Sequence, residues 1–381
     1  MFLTKLPNIG DSIFSVMTRM AVEQGALNLA QGFPDFQPDP VLVQMVFEAM
    51  KSGHNQYAPM PGLPALREQL AVKTRSHYKQ TVNPETEITI TAGATQAIFT
   101  AIAAFVAPEQ EVICFDPAYD CYAPAIKVQG ARPIHLPMAW DGKNFSYDWS
   151  QLRARINTRT RMVILNNPHN PTGAILTRAD LDKLVDLLRN TEIVVLADEV
   201  YEHMVFDKQQ HLSMLSHAEL RERSVVVSSF GKTYHNTGWK IGYVIANEQL
   251  SKEFRKVHQF NVFSVNTPMQ AAYAQFLATD KSYEQLPAFY QQKRDLFLKL
   301  VQKSRFDFVP THSTYFQLAS YQRISEEDDS TFTKWLVKEK GLAVIPVSPF
   351  IQANDQPKLI RFCFAKSDET LQKAGEVICA I

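Results

Sequence analysis

The chain has 381 residues, 45% of them hydrophobic, with Lys plus Arg and Asp plus Glu both at 39. That length exceeds one small domain and predicts a large core with a second lobe, while the zero net charge removes any general attraction to nucleic acid or to an anionic membrane surface. Four cysteines (Cys114, Cys121, Cys363 and Cys379) without a closely spaced framework, and ten histidines without ligand spacing, point to neither a disulfide scaffold nor a metal centre.

In chain order, the segment from Met1 to Ser15 is interrupted by Lys5, Pro7, Gly10 and Asp11 and lacks the apolar core of a signal peptide. The longest apolar stretch, near 97–107, falls short of the ~20 residues that a membrane span needs. With thiols expected to be reduced, the expectation is a cytoplasmic protein. Strand-like and helical runs then alternate: Ile88–Thr91 and Gln96–Phe105, Glu111–Phe115 and the region of Tyr122–Gln129, Met162–Leu165 and Arg178–Arg189, then Ile193–Leu196 and Val225–Ser228. Such alternation predicts an α/β fold, with a mostly parallel sheet covered by helices. After about Asp280 a long polar helix, Tyr283–Val301, leads to short strands near Tyr315–Leu318, Ala343–Ile345 and Leu359–Phe364. We divide the chain into residues 1–43, an N-terminal arm and part of the small domain, 44–280, the large domain, and 281–381, a smaller α+β domain. No repeat or low-complexity tract interrupts it.

Four segments carry chemistry. A β-rich run, Ser224 to Ser229, delivers Lys232 onto a small-residue turn, with Lys240 eight residues later; such a turn can present an amine to a carbonyl compound as a Schiff base. Val163-Ile164-Leu165-Asn166-Asn167-Pro168-His169-Asn170-Pro171-Thr172-Gly173 is a strand running into a Pro-rich turn that fixes an Asn side chain. The strand Ile193 to Ala197 ends in Asp198, with Tyr201 three residues on; read alone, Asp198 is a helix N-cap. Ile88-Thr89-Ile90-Thr91-Ala92-Gly93-Ala94-Thr95 is a strand, a turn and a helix start whose free N–H groups suit a phosphate. Together these are the parts that pyridoxal 5′-phosphate requires. Lys232 holds its aldehyde, Asp198 keeps its ring nitrogen protonated, and Asn170 and Tyr201 donate to its ring hydroxyl oxygen. Backbone groups of Ala94 and Thr95 at the Gly93 turn, with Ser229 and Lys240, meet its phosphate, and the ring of Tyr119 stacks on its face. His169 and His235 are expected to pack.

Lys232 with its flanks, Asn170-Pro171-Thr172-Gly173, Asp198-Glu199-Val200-Tyr201 and Leu359-Ile360-Arg361-Phe362-Cys363-Phe364 resemble the class I aminotransferases of pyridoxal-phosphate fold type I. Gln31-Gly32-Phe33-Pro34-Asp35-Phe36, Asn55-Gln56-Tyr57-Ala58-Pro59 and Phe115-Asp116-Pro117-Ala118-Tyr119-Asp120-Cys121-Tyr122 are similar to the kynurenine and glutamine aminotransferase branch, with most likeness to bacterial methionine aminotransferases. The resemblance implies ping-pong transfer of an α-amino group to a 2-oxo acid, with Lys232 as base and acid. It implies that Arg361, helped by Asn170 and the backbone of Gly32, binds the substrate α-carboxylate. It also implies a homodimer in which Tyr57 reaches the phosphate of the neighbouring subunit. Lys240 stands where the wider family commonly has arginine, keeping a point charge without the planar fork. Thr95 stands where the branch often has an aromatic residue.

Gly32, Phe33, Tyr57, Phe263 and the region of Ile13 and Phe14 are candidates for an apolar side-chain pocket, favouring methionine or aromatic and neutral amino acids, although Ile13 and Phe14 serve equally well as core. Two other functions fit the same residues. One is a β-lyase acting on cysteine conjugates, which would release ammonia and pyruvate. The other is a pyridoxal-phosphate-binding regulator; Lys232, Asp198, Asn170 and Arg361 together, with no DNA-binding segment before them, favour an enzyme.

Overall fold

A computed structural model describes residues 4–7, 9–352 and 358–381. Runs rich in valine and isoleucine make the central sheet: β1 (Ile88–Thr91), β2 (Glu111–Asp116), β3 (Arg132–Pro137), β4 (Thr160–Asn166), β5 (Val194–Asp198), β6 (Ser224–Ser229) and β7 (Gly242–Ile245). Their spatial order is β1-β7-β6-β5-β4-β2-β3, with β7 antiparallel to both neighbours and the other pairings parallel. Every residue of β1, β2, β5 and β7 is buried, as expected for strands covered on both faces. One face packs on α1 (Gly93–Phe105), through Ala97, Ile98, Ala101 and Ile102 against Val112, Ile164, Leu196 and Val227. The opposite face joins the larger core, which runs on into the C-terminal part of the chain.

Two strands of this sheet escape the alternation. β7 is short and follows the one-turn helix Phe230–Thr233 and the single turn Thr237–Trp239, so no helix-length crossover announces it. β3 is an edge strand with a partly exposed face, and Pro133 within it weakens its strand signal while being tolerated at an edge.

A second, antiparallel sheet contains β8 (Asp307–Phe308), β9 (Phe316–Ser320), β10 (Ile345–Pro346) and β11 (Leu359–Cys363), in the order β8-β9-β11-β10. The helix expected over Tyr283–Val301 begins as the single turn Ser282–Gln285 and runs as an α-helix over Leu286–Val301. The N-terminal segment packs on this C-terminal lobe: Leu27–Asn28 pairs in parallel with Leu342–Ala343, and Met17 and Ala21 of helix Ile13–Gln24 join Val337, Ala343 and Ile345. Among the described residues no helix is long and apolar enough to cross a membrane, no cluster of ligating side chains could hold a metal ion, and the four cysteines are free.

Under the carboxyl ends of β5 and β6 lies a buried polar network centred on Glu202. Its carboxylate accepts from Lys73 Nζ at 2.9 Å and from the Tyr243 hydroxyl at 2.7 Å, and also from Ser228 and Tyr78. Burial alone would push this carboxyl up, but Lys73, His203, Ser228 and Tyr78 outweigh it and hold the group well below the usual range. Because the folded value is depressed, the stability it contributes is present above the unfolded carboxylate value and is lost as pH falls through the folded one. Glu202→Ala leaves the Lys73 ammonium buried without its counter-charge. We expect it to cost about 3–5 kcal/mol at neutral pH, read as a lower urea midpoint, with the gap to wild type closing as pH is lowered. Equal midpoints at neutral pH would show that the network does not hold these strand ends.

Candidate active site

The strand register gathers the chemistry at one edge of the central sheet. Asn166 of β4 is paired with Asp198 of β5, Asp198 with Val227 of β6, and Gly242 of β7 lies between Ser229 of β6 and Thr91 of β1. These are the strand ends where open α/β sheets bind ligands. A cavity of ≈ 300 Å³ opens there, and it is lined by Gly32, Phe33, Gly93, Ala94, Thr95, Tyr119, Asn170, Asp198, Tyr201, Ser229, Lys232, Lys240 and Arg361. Phe14 also lines it; Ile13 does not, and packs with the N-terminal helix.

Two expected contacts lie elsewhere. Tyr57 is 80% exposed and Phe263 53% exposed, and their rings meet edge to face at 5.2 Å on the surface of the chain. Within one chain they contribute nothing to the cavity.

Lys232 follows β6 on the one-turn helix Phe230–Thr233. Its Nζ donates to Gly32 O at 2.9 Å and to the Tyr315 hydroxyl oxygen at 3.0 Å, with the rings of Tyr201 and Tyr315 each 5.6 Å away. Burial pushes the amine down to about 8, Arg361 and Lys240 adding to the effect and Cys363 and Asp198 opposing it.

Asp198 ends β5, and no helix follows it, so it caps nothing. Its Oδ2 accepts from the Tyr122 hydroxyl at 2.6 Å and its Oδ1 from Val200 N at 3.4 Å. Burial pushes its carboxyl up to about 6, with Tyr122 and Val200 pulling the other way. Asn166 ties this strand end to the next loop: its Nδ2 donates to Asp198 O at 2.8 Å, and its Oδ1 accepts from Asn170 N at 2.7 Å.

Arg361, on β11, reaches across from the second lobe and is almost wholly buried. Its two terminal nitrogens donate to Asn170 Oδ1 at 2.9 Å and Ala30 O at 3.0 Å, while Nε has no partner. The guanidinium lies 3.9 Å from the centre of the Phe316 ring and 5.1 Å from that of Phe14. Among the described residues no carboxylate forms an ion pair with it. A buried, permanently charged group with a free donor and no counter-ion is a seat for an anion.

The other anion seat is the start of α1, a thirteen-residue helix with no side-chain cap. Gly93 has φ +79°, and a Cβ there would stand 3.3 Å from Lys240 Nζ. A Cβ on Gly242 would stand 2.8 Å from Ser228 O and 3.0 Å from Ala94 N, so the glycine lets β7 pass this close to the helix start. An ammonium at the positive end of a helix is unfavourable until an anion sits between them.

Gln31, Ile98, Asn166, Val200, Gly231, Thr237, Ile241 and Phe316 also line the cavity without a role expected from the sequence, and Tyr122 and Tyr315 touch its reactive groups. Asn166 ends the same strand whose turn presents Asn170, and the two amides have the same local signature; Tyr315 and Phe316 come from a short strand start with none. His235 packs against Phe36, Phe289 and Tyr290, and burial pushes it down to about 4. His169 is buried, its Nδ1 2.8 Å from the Thr172 hydroxyl.

The chain matches the family Aminotransferase class I and II over residues 24–378. It is 48% identical to the methionine aminotransferase of Escherichia coli over 98% of this chain and 96% of that protein. It is 31% identical to mouse kynurenine–oxoglutarate transaminase 3 over 99% and 89% of the two chains. An Escherichia coli crystal structure identified with a methionine aminotransferase function superposes with a TM-score of 0.96 at 45% identity, covering 100% of both chains. The chain therefore belongs to the class I and II aminotransferases, a family of pyridoxal-phosphate-dependent enzymes.

Proposed function

We propose that this enzyme takes the α-amino group of methionine or of another neutral or aromatic amino acid and passes it to a 2-oxo acid, with pyridoxal 5′-phosphate carried on Lys232. The observation behind this reading is the meeting in one cavity of a buried amine pushed down to about 8, a buried carboxylate and an arginine with an unpaired Nε and no carboxylate partner among the described residues.

The residues present fit the cofactor. Lys240 against the uncapped start of α1 asks for a polyanion, and the backbone N–H groups of Ala94 and Thr95, the Ser229 hydroxyl and the Lys240 ammonium would hold the phosphate. Asp198 would accept the proton-bearing ring nitrogen; a carboxyl already poised at about 6 is drawn to its charged form by a cation beside it. Asn170 and Tyr201 would donate to the ring hydroxyl oxygen, and Tyr119 would cover one ring face. When bound, the cofactor supplies the aldehyde that takes up the amino group and a ring that draws electrons from the donor's α-carbon.

The chain's own groups do the rest. Lys232 would take the proton from the donor's α-carbon on Nζ and give it back later in the transfer, acting first as base and then as acid. A side chain poised at about 8 can be base and then acid near neutral pH. Arg361 binds the α-carboxylate through its free Nε and an adjacent nitrogen, with Asn170 and the Gly32 backbone N–H completing the seat, and so fixes which bond at the α-carbon is broken. We place the exposed Tyr57 and Phe263 at a homodimer contact, Tyr57 reaching the neighbouring subunit's phosphate and Phe263 its donor pocket. The division at residues 43 and 280 and a cytoplasmic location belong to the same reading, the latter supported by the free thiols.

Donor choice rests on charge. Of the three cations that this chain's described residues bring to the cavity, Lys232 carries the cofactor, Lys240 faces the phosphate and Arg361 takes the α-carboxylate, which leaves none of them for a side-chain carboxylate. Phe14, Phe33, Ile98 and Phe316 supply apolar lining, and such a lining discriminates by only about 1–3 kcal/mol per methylene, so several neutral donors should serve.

Purified protein loaded with pyridoxal phosphate, given one amino acid and no 2-oxo acid, should lose its visible band with methionine, phenylalanine and glutamine and keep it with aspartate. Bleaching by aspartate alone would refute the donor class, and release of pyruvate and ammonia from a cysteine conjugate without amino transfer would replace this reading by the β-lyase. Lys232→Ala should abolish turnover with unchanged circular dichroism and elution volume; activity within ten-fold of wild type would remove Lys232 from the mechanism. For Arg361→Ala, kcat/KM should fall at least about thirty-fold, since truncating one partner of a buried charged pair costs about 2–5 kcal/mol; a near-normal value would mean that another cation reads the carboxylate.

A further inference from the structure

We propose that Tyr315 is a positioning residue for Lys232: its hydroxyl, with the Gly32 carbonyl, forms the seat that receives the lysine amine whenever that amine is not bonded to the cofactor. The inference rests on Lys232 being the cofactor-bearing amine and adds a residue that neither the motifs nor the family likeness assigned.

Three short contacts close a triangle. Lys232 Nζ lies 2.9 Å from Gly32 O and 3.0 Å from Tyr315 Oη, and Tyr315 Oη lies 2.6 Å from Gly32 O. The phenol has one hydrogen, and the carbonyl can only accept, so that hydrogen goes to Gly32 O and the phenol's lone pairs face the lysine. A neutral amine has two hydrogens. The carbonyl and the phenol oxygen take one each, which leaves the nitrogen lone pair free. The seat therefore holds Lys232 through two acceptors in either protonation state, the ammonium more strongly, and it keeps the neutral amine in one place with its lone pair free to accept a proton. It also clamps Gly32, whose backbone N–H the donor's carboxylate is to use, so one hydroxyl sets both the amine and part of the donor seat.

Tyr315 is built not to move. It is fully buried, with its ring edge-on to Tyr201 at 5.3 Å and to Phe316 at 4.8 Å, and Tyr290 at 5.6 Å on another side. Phe364 N donates to its backbone O at 3.0 Å, and the preceding residue is tied down as well, with Thr314 N donating to Met204 O at 2.8 Å. Burial keeps the phenol well above its ordinary range, so it stays a neutral hydroxyl while Lys232 titrates. A phenylalanine would keep all of this packing and lose only the oxygen.

The test compares full-length wild type and Tyr315→Phe by two readouts. In cofactor-stripped protein, competitive acetylation of Lys232 with acetic anhydride, followed by mass spectrometry across pH, should give a midpoint near 8 for wild type. The variant should have a lower midpoint, because the ammonium loses an acceptor, while surface lysines label alike in both. In the loaded enzyme, kcat should fall about ten-fold, the worth of one well-placed hydrogen bond, with KM for methionine changed less than two-fold. Tyr315 is refuted as the seat if the Lys232 midpoint does not move, whatever happens to kcat, since a loss of rate alone means a merely structural role. It is refuted equally if the midpoint moves and kcat does not. Protection of Lys232 from acetylation by added pyridoxal phosphate is the separate control: its absence in wild type would overturn the assignment of Lys232 itself, not that of Tyr315.

Discussion

Three cations, Lys232, Lys240 and Arg361, face one cavity whose lining contains a single carboxylate, Asp198. That imbalance is the constraint on which the site depends. Cations gathered out of water repel one another and are costly to hold without counter-charge, and the chain meets the cost in three different ways. Lys232 gives up part of its charge, falling to about 8. Arg361, which cannot lose its proton at any ordinary pH, borrows neutral acceptors from Asn170 and Ala30 and lies over the Phe316 ring. Lys240 is left against the positive end of α1. What would relieve all three is two anions at fixed separation, and an amino acid meeting a phosphate-bearing cofactor brings just such a pair.

The fold makes this arrangement by drawing on distant parts of the chain. Parallel strands place Asn166, Asp198 and Ser229 at one sheet edge because their register aligns their carboxyl ends. The antiparallel strand β7 carries the chain back from Lys240, so that both lysines stand at that same edge although their strands run in opposite directions. Arg361 and Tyr315 come from the second lobe, and Gly32 from the N-terminal segment that is stitched to that lobe by Leu27–Asn28. The donor seat is therefore divided: the groups that would hold the cofactor belong to the central sheet, and those that would hold the donor's carboxylate come mostly from the other lobe.

Much of this was legible from residues alone, for physical reasons that differ from element to element. The buried strands β2, β4, β5 and β6 announce themselves by apolar runs and β1 by its β-branched Ile88-Thr89-Ile90-Thr91, and the turns after β1, β4, β5 and β6 carry the chemistry in the next few residues, so Lys232, Asp198, Asn170 and Gly93 could be read locally. Arg361 could not: inside the run Leu359 to Phe364 it is a charge in a strand, and only family likeness gave it a role, because its partners Ala30 and Asn170 are 331 and 191 residues away. Tyr122 and Tyr315 were invisible for the same reason. Nothing in a local pattern says that a phenol will meet a carboxylate 76 residues on, or an amine 83 residues back. Tyr57 and Phe263 show another limit: a single chain brings them only to each other, on its surface.

The two tyrosines that reading missed bear on the two groups whose ionisation matters most. Tyr122 donates to Asp198, and Tyr315 accepts from Lys232. In each case a neutral phenol, kept neutral by burial, touches a group that burial has pushed toward its uncharged form. A charged partner in either place would have fixed the protonation state: an arginine beside Asp198 would hold it ionised, and a carboxylate beside Lys232 would hold it as ammonium. A hydroxyl biases the equilibrium by far less than a full charge does, yet it fixes direction as firmly. That combination suits an amine that must be a base in one half of a reaction and an acid in the other, and a carboxylate whose charge is to be settled by the ring nitrogen that arrives beside it.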